Sequence, residues 1–124
     1  MRVSRVFALL LGLGTLWGIV LADQGDYLTI RQFSRYVPGG DAGLHVGVMG
    51  GLTLAFSIGF ADARIAGRRL GVIGVVLLIV LFATAEELHQ WFQPYRRFTL
   101  RDLLFSYLGI GLAALLVLGI RRRR

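Results

Sequence analysis

Two adjacent carboxylates, Glu86 and Glu87, followed at once by His89 and Gln90, form the densest group of proton-carrying side chains in this 124-residue chain. On a continuous helix His89 and Gln90, three and four residues on, share a face with Glu86, and Glu87 comes within reach of Gln90. A carboxylate or an imidazole in such a group can act as a general base, and the arginines that follow, Arg96, Arg97 and Arg101, can hold a phosphate or carboxylate. That combination suits an anionic lipid headgroup. Asp41, His45 and Asp102 belong to the same set, so the candidate catalytic residues are Asp41, His45, Glu86, Glu87 and Asp102. No particular reaction is indicated. The chain has no serine nucleophile elbow, no glycine-rich phosphate loop and no HExxH motif, since Glu86 to Gln90 contains a single histidine. His45, His89 and the acids lack the spacing of a metal-ligand set, so neither a metal nor another cofactor is expected.

Two readings without chemistry compete with this one. Each polar residue taken singly fits a side chain at a membrane boundary, snorkelling its head into water. Taken together, Glu86, Glu87 or Asp102 could pair with Arg96, Arg97 or Arg101 and clamp the loop between them.

The elements that must position these residues are membrane spans. Hydrophobic residues make up 56% of the chain and the mean hydropathy is +0.68, a surplus that a soluble core of this length does not need. Four long apolar runs carry it. They predict an all-α polytopic membrane protein, a bundle of four transmembrane helices at about residues 6–22, 44–61, 70–92 and 102–120, in one domain over 1–124. The first run has a rival reading as a cleavable signal peptide, with Val20-Leu21-Ala22 before Asp23. Trp17 and the length of the run favour a retained helix. In the second run Gly43, Gly47, Gly50, Gly51 and Gly59 offer small surfaces for close packing. Packing within the bundle is favoured there over homo-oligomerisation through the glycine-rich faces. The third helix is expected to continue past Ala85 towards Pro94, and Asp102 suits the first turn of the fourth.

All fourteen basic residues are arginines, and their positions orient the chain. Nine lie at the amino terminus, between the second and third spans and at the carboxyl terminus, against five in the other two loops, which places both termini in the cytoplasm. The net charge of +7 would ordinarily suggest nucleic acid. Arginines at span ends instead serve topology and meet lipid headgroups, so membrane lipids are the expected partners and nucleic acid is not. With no cysteine, thiol chemistry and disulfides are excluded. The same topology delivers Asp41, His45, Glu86, Glu87, His89, Gln90, Arg96, Arg97, Arg101 and Asp102 to the extracytoplasmic face.

In this arrangement the chain resembles the VanZ-like family, which takes its name from a protein associated with teicoplanin resistance. The match is carried by Glu86, Glu87, Gln90, Phe92, Pro94, Arg96, Asp102, Ser106 and Gly109, with Asp41 and His45 upstream, and covers roughly residues 38–115. Three positions depart from the pattern: Glu86 stands where an aspartate is commoner, Ala42 where a lysine often follows the upstream aspartate, and Ser106 where asparagine is usual. The resemblance implies a multi-pass protein of the bacterial inner membrane linked to the cell envelope or the glycopeptide response. It also implies substrate-binding roles for Gln90, Arg96 and Ser106.

Overall fold

A computed structural model describes residues 3–24, 32, 35–36, 38–93 and 99–123, with Asp41 described in its backbone alone. Four helices dominate it: α1 (Val3–Asp23), α2 (Asp41–Phe60), α3 (Gly71–Trp91) and α4 (Leu100–Arg122). At about 1.5 Å per residue each is roughly 30 Å long, and all four are apolar enough to cross a bilayer. They lie within a few residues of the spans expected from the apolar runs. The third helix stops at Trp91, with the Phe92 amide turning back to the His89 carbonyl.

Contacts at the two ends make successive helices antiparallel. At one end the Arg5 Nε of α1 donates to the Gly59 carbonyl of α2 at 3.0 Å, and Ala61, Val72 and Val117 pack together. At the other, His89 of α3 meets Asp23 of α1, and His45 of α2 meets Asp102 of α4. Both termini therefore belong to the first end, and the expected polar cluster to the second.

Between α2 and α3 the short connection is a β-hairpin. Strands β1 (Arg64–Ile65) and β2 (Arg68–Arg69) pair antiparallel, Arg64 with Arg69 and Ile65 with Arg68. The turn residues Ala66 (φ 51°) and Gly67 (φ 79°) both have positive φ, the geometry of a two-residue hairpin turn whose twist suits the strands. Only glycine adopts it without cost, so Ala66 is the strained member of the pair.

Helix α2 is the centre of the bundle, in contact with all three others, and its broadest interface is with α4. Met49, Leu52, Val75, Ile79, Ala83 and Ile110 form the main core from α2, α3 and α4. Outside it, Phe7, Leu10, Leu13 and Trp17 of α1 and Leu77, Leu81, Leu112 and Leu115 of α3 and α4 are exposed, as bilayer contact requires. The seam between α2 and α4 closes at Gly109. A Cβ there would lie 2.3 Å from the Val46 carbonyl oxygen, and one on Gly50 would lie 3.2 Å from the Gly109 oxygen. Small residues let two backbones approach this closely.

The five glycines of the second run thus do not contribute equally. Gly47 faces open space, whereas Gly50 and Gly59 are the packed glycines of α2, the latter against Ser4 and Arg5. Gly109→Ala must push backbone away from backbone and is expected to cost about 1–3 kcal/mol, the range for overpacking. Gly47→Ala should be neutral or slightly stabilising. Chemical denaturation of the two variants in micelles checks this ordering, and a Gly109→Ala protein as stable as Gly47→Ala would contradict the seam.

Candidate functional site

The buried stripe of α3 runs Val72, Val75, Ile79 and Ala83, spaced by three and four, and then continues without a break through Glu87 and Gln90. That of α4 runs Val117, Ala113, Ile110 and Gly109 and ends on Ser106. Core-facing positions near one end of the bundle are therefore occupied by polar side chains. Glu87, Gln90 and Ser106 are 1%, 3% and 2% exposed. Such burial is incompatible with snorkelling for these three. His89, exposed for 47% of its side chain, does fit that reading, and its Nε2 lies 2.9 Å from Asp23 Oδ2.

Buried polar groups need partners, and Glu87 has them. Its Oε1 accepts from the Thr99 backbone amide at 3.2 Å, and its Oε2 from Gln90 Nε2 at 3.3 Å. The same Gln90 nitrogen donates to Glu86 Oε2 at 2.7 Å, so one amide bridges two carboxylates and offsets their mutual repulsion. Thr99 in turn caps α4, its Oγ1 accepting from the Asp102 amide at 3.3 Å. This capping residue was not among the sequence candidates. The string Thr99-Leu100-Arg101-Asp102, a threonine followed three residues later by an acid before an apolar run, is the signal that marks it.

Among the described residues the Glu87–Thr99 bond links the end of α3 to the start of α4, while the Gln90 bonds lie within α3 and hold the two glutamates in place. Arg101 takes no part in that link: its guanidinium lies 5.5 Å from the Phe105 ring centroid, and among the described residues it forms no ion pair. Arg96 and Arg97 lie outside the described residues.

The second part of the site joins α2 to α4. His45 Nδ1 is 3.2 Å from Ser106 Oγ, and His45 Nε2 is 3.7 Å from Asp102 Oδ2. A proton on Nε2, facing the carboxylate, leaves Nδ1 to accept from the serine hydroxyl. His45 and Asp102 are partly open, at 20% and 26% side-chain exposure, while Ser106 is enclosed. Ser106 is therefore placed to orient the imidazole, and His45 with Asp102 to meet a ligand. His45, Glu86 and Asp102 are also the titratable neighbours of Glu87. Asp41 is the first residue of α2, one turn before His45. One turn further into the bundle Thr84 Oγ1 and Tyr107 Oη share a 2.6 Å hydrogen bond, which ties α3 to α4 beneath the site.

Of the candidates, His45, Glu86, Glu87, Gln90, Asp102 and Ser106 are gathered from three helices at one end of the bundle. Among the described residues no three of the histidines and acids form a group able to hold a metal ion. Comparison with protein-family models, curated proteins and solved structures gives no match.

Glu87→Ala removes the acceptor of the Thr99 amide. Loss of a buried bond to a charged group is worth about 1.5–3 kcal/mol, so amide exchange at Thr99 should accelerate roughly 10- to 100-fold. Glu87→Gln keeps a carbonyl acceptor and should retain most of the protection. Hydrogen exchange read at this amide decides it, and equal protection in wild type and Glu87→Ala would show that the carboxylate does not hold the loop.

Proposed function

We propose that the chain is a VanZ-like protein of the bacterial inner membrane whose extracytoplasmic face binds or processes an anionic envelope-lipid headgroup. In this reading both termini are cytoplasmic, as the arginine distribution requires. The observation that carries the proposal is the convergence of His45, Glu87, Gln90, Asp102 and Ser106 from three helices to one end of the bundle. A resting membrane anchor has no need to bury a glutamate and a glutamine on its core stripe.

The two parts of the cluster take different roles. Glu87, Gln90 and Thr99 shape the site by fixing the end of α3 to the start of α4. His45 and Asp102, the partly open pair, contact the headgroup, with His45 as the group able to accept or deliver a proton. Arg96, in the loop that joins α3 to α4, supplies the positive charge for the phosphate. The link to a glycopeptide response follows from the resemblance to VanZ-like proteins.

A second reading, a noncatalytic scaffold with the polar cluster as a structural clamp, is favoured by one observation: both Glu87 oxygens are already engaged within the protein. The two readings part at His45 and Asp102. Under the proposal, His45→Ala and Asp102→Asn abolish the teicoplanin phenotype of expressing bacteria at unchanged folded abundance, whereas Glu87→Ala lowers both together. If folded His45→Ala and Asp102→Asn proteins keep the full phenotype, the headgroup-binding role is lost and the scaffold reading stands.

A further inference from the structure

At the opposite end of the bundle the β-hairpin carries three arginines, Arg64, Arg68 and Arg69. Arg69 is bonded to Asp62, but Arg64 and Arg68 are exposed and form no ion pair among the described residues. Successive side chains of a strand point to opposite faces, so Arg68 shares a face with its partner Ile65. The hairpin is tied to the bundle by backbone bonds, Leu70 to the Ala63 carbonyl and Gly71 to the Ala61 carbonyl, both at 2.8 Å. Its position over the start of α3 is therefore defined.

Directly below it an open apolar groove descends the outer face of α3. Ile65, Arg68 and Arg69 form its head, and Leu70, Gly74, Leu77, Leu78 and Leu81 line its length. These helix positions recur every three or four residues and so share one face. From Leu70 to Leu81 the groove covers about 16 Å along the helix, close to half of a hydrocarbon core of about 30 Å. Its depth depends on Gly74. A Cβ at that position would lie 2.7 Å from Leu70 Cδ1, so the leucine side chain folds over the glycine and leaves the groove open beyond it.

We propose that this groove is a binding site for one anionic phospholipid of the leaflet on the hairpin side, its phosphate held by Arg68 at the groove head and an acyl chain lying along Leu77, Leu78 and Leu81. A guanidinium presents paired donors that match a phosphate, and its stem lies along apolar surface while the head stays at the interface. Depth matches as well, because the arginines sit at the helix start and the leucines follow towards the bilayer centre. Charge selects the occupant: a second copy of this chain would bring its own hairpin arginines against these. The site is independent of the headgroup-binding role assigned to the other face.

Native mass spectrometry of the full chain in micelles, titrated with phosphatidylglycerol or phosphatidylcholine, tests the proposal. Phosphatidylglycerol should be retained in preference, and Arg68→Ala should bind it roughly fivefold more weakly, the worth of one arginine near a membrane surface. Gly74→Leu, whose Cβ meets only the Leu70 side chain and must displace it, should fill the groove and lose retention of phosphatidylglycerol without touching any charge. Arg64→Ala, equal in charge removed but on the other hairpin face and outside the groove lining, should bind as wild type does. Equal weakening by the two arginine variants would reduce the effect to bulk charge and overturn the site, as would equal retention of phosphatidylcholine. Lipid retention unaffected by Gly74→Leu, or a lipid-independent dimer that Gly74→Leu dissolves, would overturn it too.

Discussion

The close approach of α2 and α4 at Val46 and Gly109 is the constraint on which the rest of the structure depends. Nothing larger than a hydrogen atom fits on Gly109 without moving the Val46 carbonyl. The residue before Val46 is His45, and Ser106 lies one turn from Gly109 on the same stripe, so the backbone approach brings imidazole and hydroxyl to 3.2 Å. The same crossing sets the start of α4, and with it Asp102 and Thr99, beside the end of α3. In a bilayer, where apolar surface gains little by leaving lipid, packing of this kind and interhelical hydrogen bonds hold helices together. The seam serves both needs at once, being tight at the glycines and polar one turn above them.

The polar end of the bundle is then a solution to a solvation problem. A glutamate at 1% exposure is tolerable only if its oxygens are bonded, and Gln90 and the Thr99 amide bond both of them. That satisfaction ties down the return of the chain into α4, whose N-terminus receives the Thr99 cap. With Glu87 committed inward, His45 and Asp102 stay partly open at this end of the bundle. The molecule thus has a polar, hydrogen-bonded end and an arginine-rich end, separated by a core of Met49, Leu52, Val75, Ile79, Ala83 and Ile110.

Much of this was legible from residue order. Uninterrupted apolar runs can do little but span, so four helices and their approximate ends followed from hydropathy, and antiparallel succession from successive crossings of the bilayer. The convergence of His45, Glu87, Gln90, Asp102 and Ser106 followed from that topology and the spaced motif. What composition hid was which polar residues face inward. Snorkelling and burial look alike near a span end, and the two are separated only by extending the stripe of Val72, Val75, Ile79 and Ala83 to Glu87 and Gln90. The packing glycine was equally hidden, because Gly47 and Gly50 are indistinguishable until the rotation of α2 about its own axis is known. The hairpin at Arg64 to Arg69 carries no apolar alternation and a poor turn residue in Ala66, and hence little signal of its own.

The glycine seam holds His45 against Ser106. Nitrogen-15 NMR of the His45 imidazole in the intact protein in micelles, with Gly109→Ala as the comparison, reads this contact. Nδ1 should show the shift of a nitrogen accepting a hydrogen bond in the wild type and move towards the value of a water-exposed ring in Gly109→Ala. Identical imidazole spectra in the two proteins would contradict it.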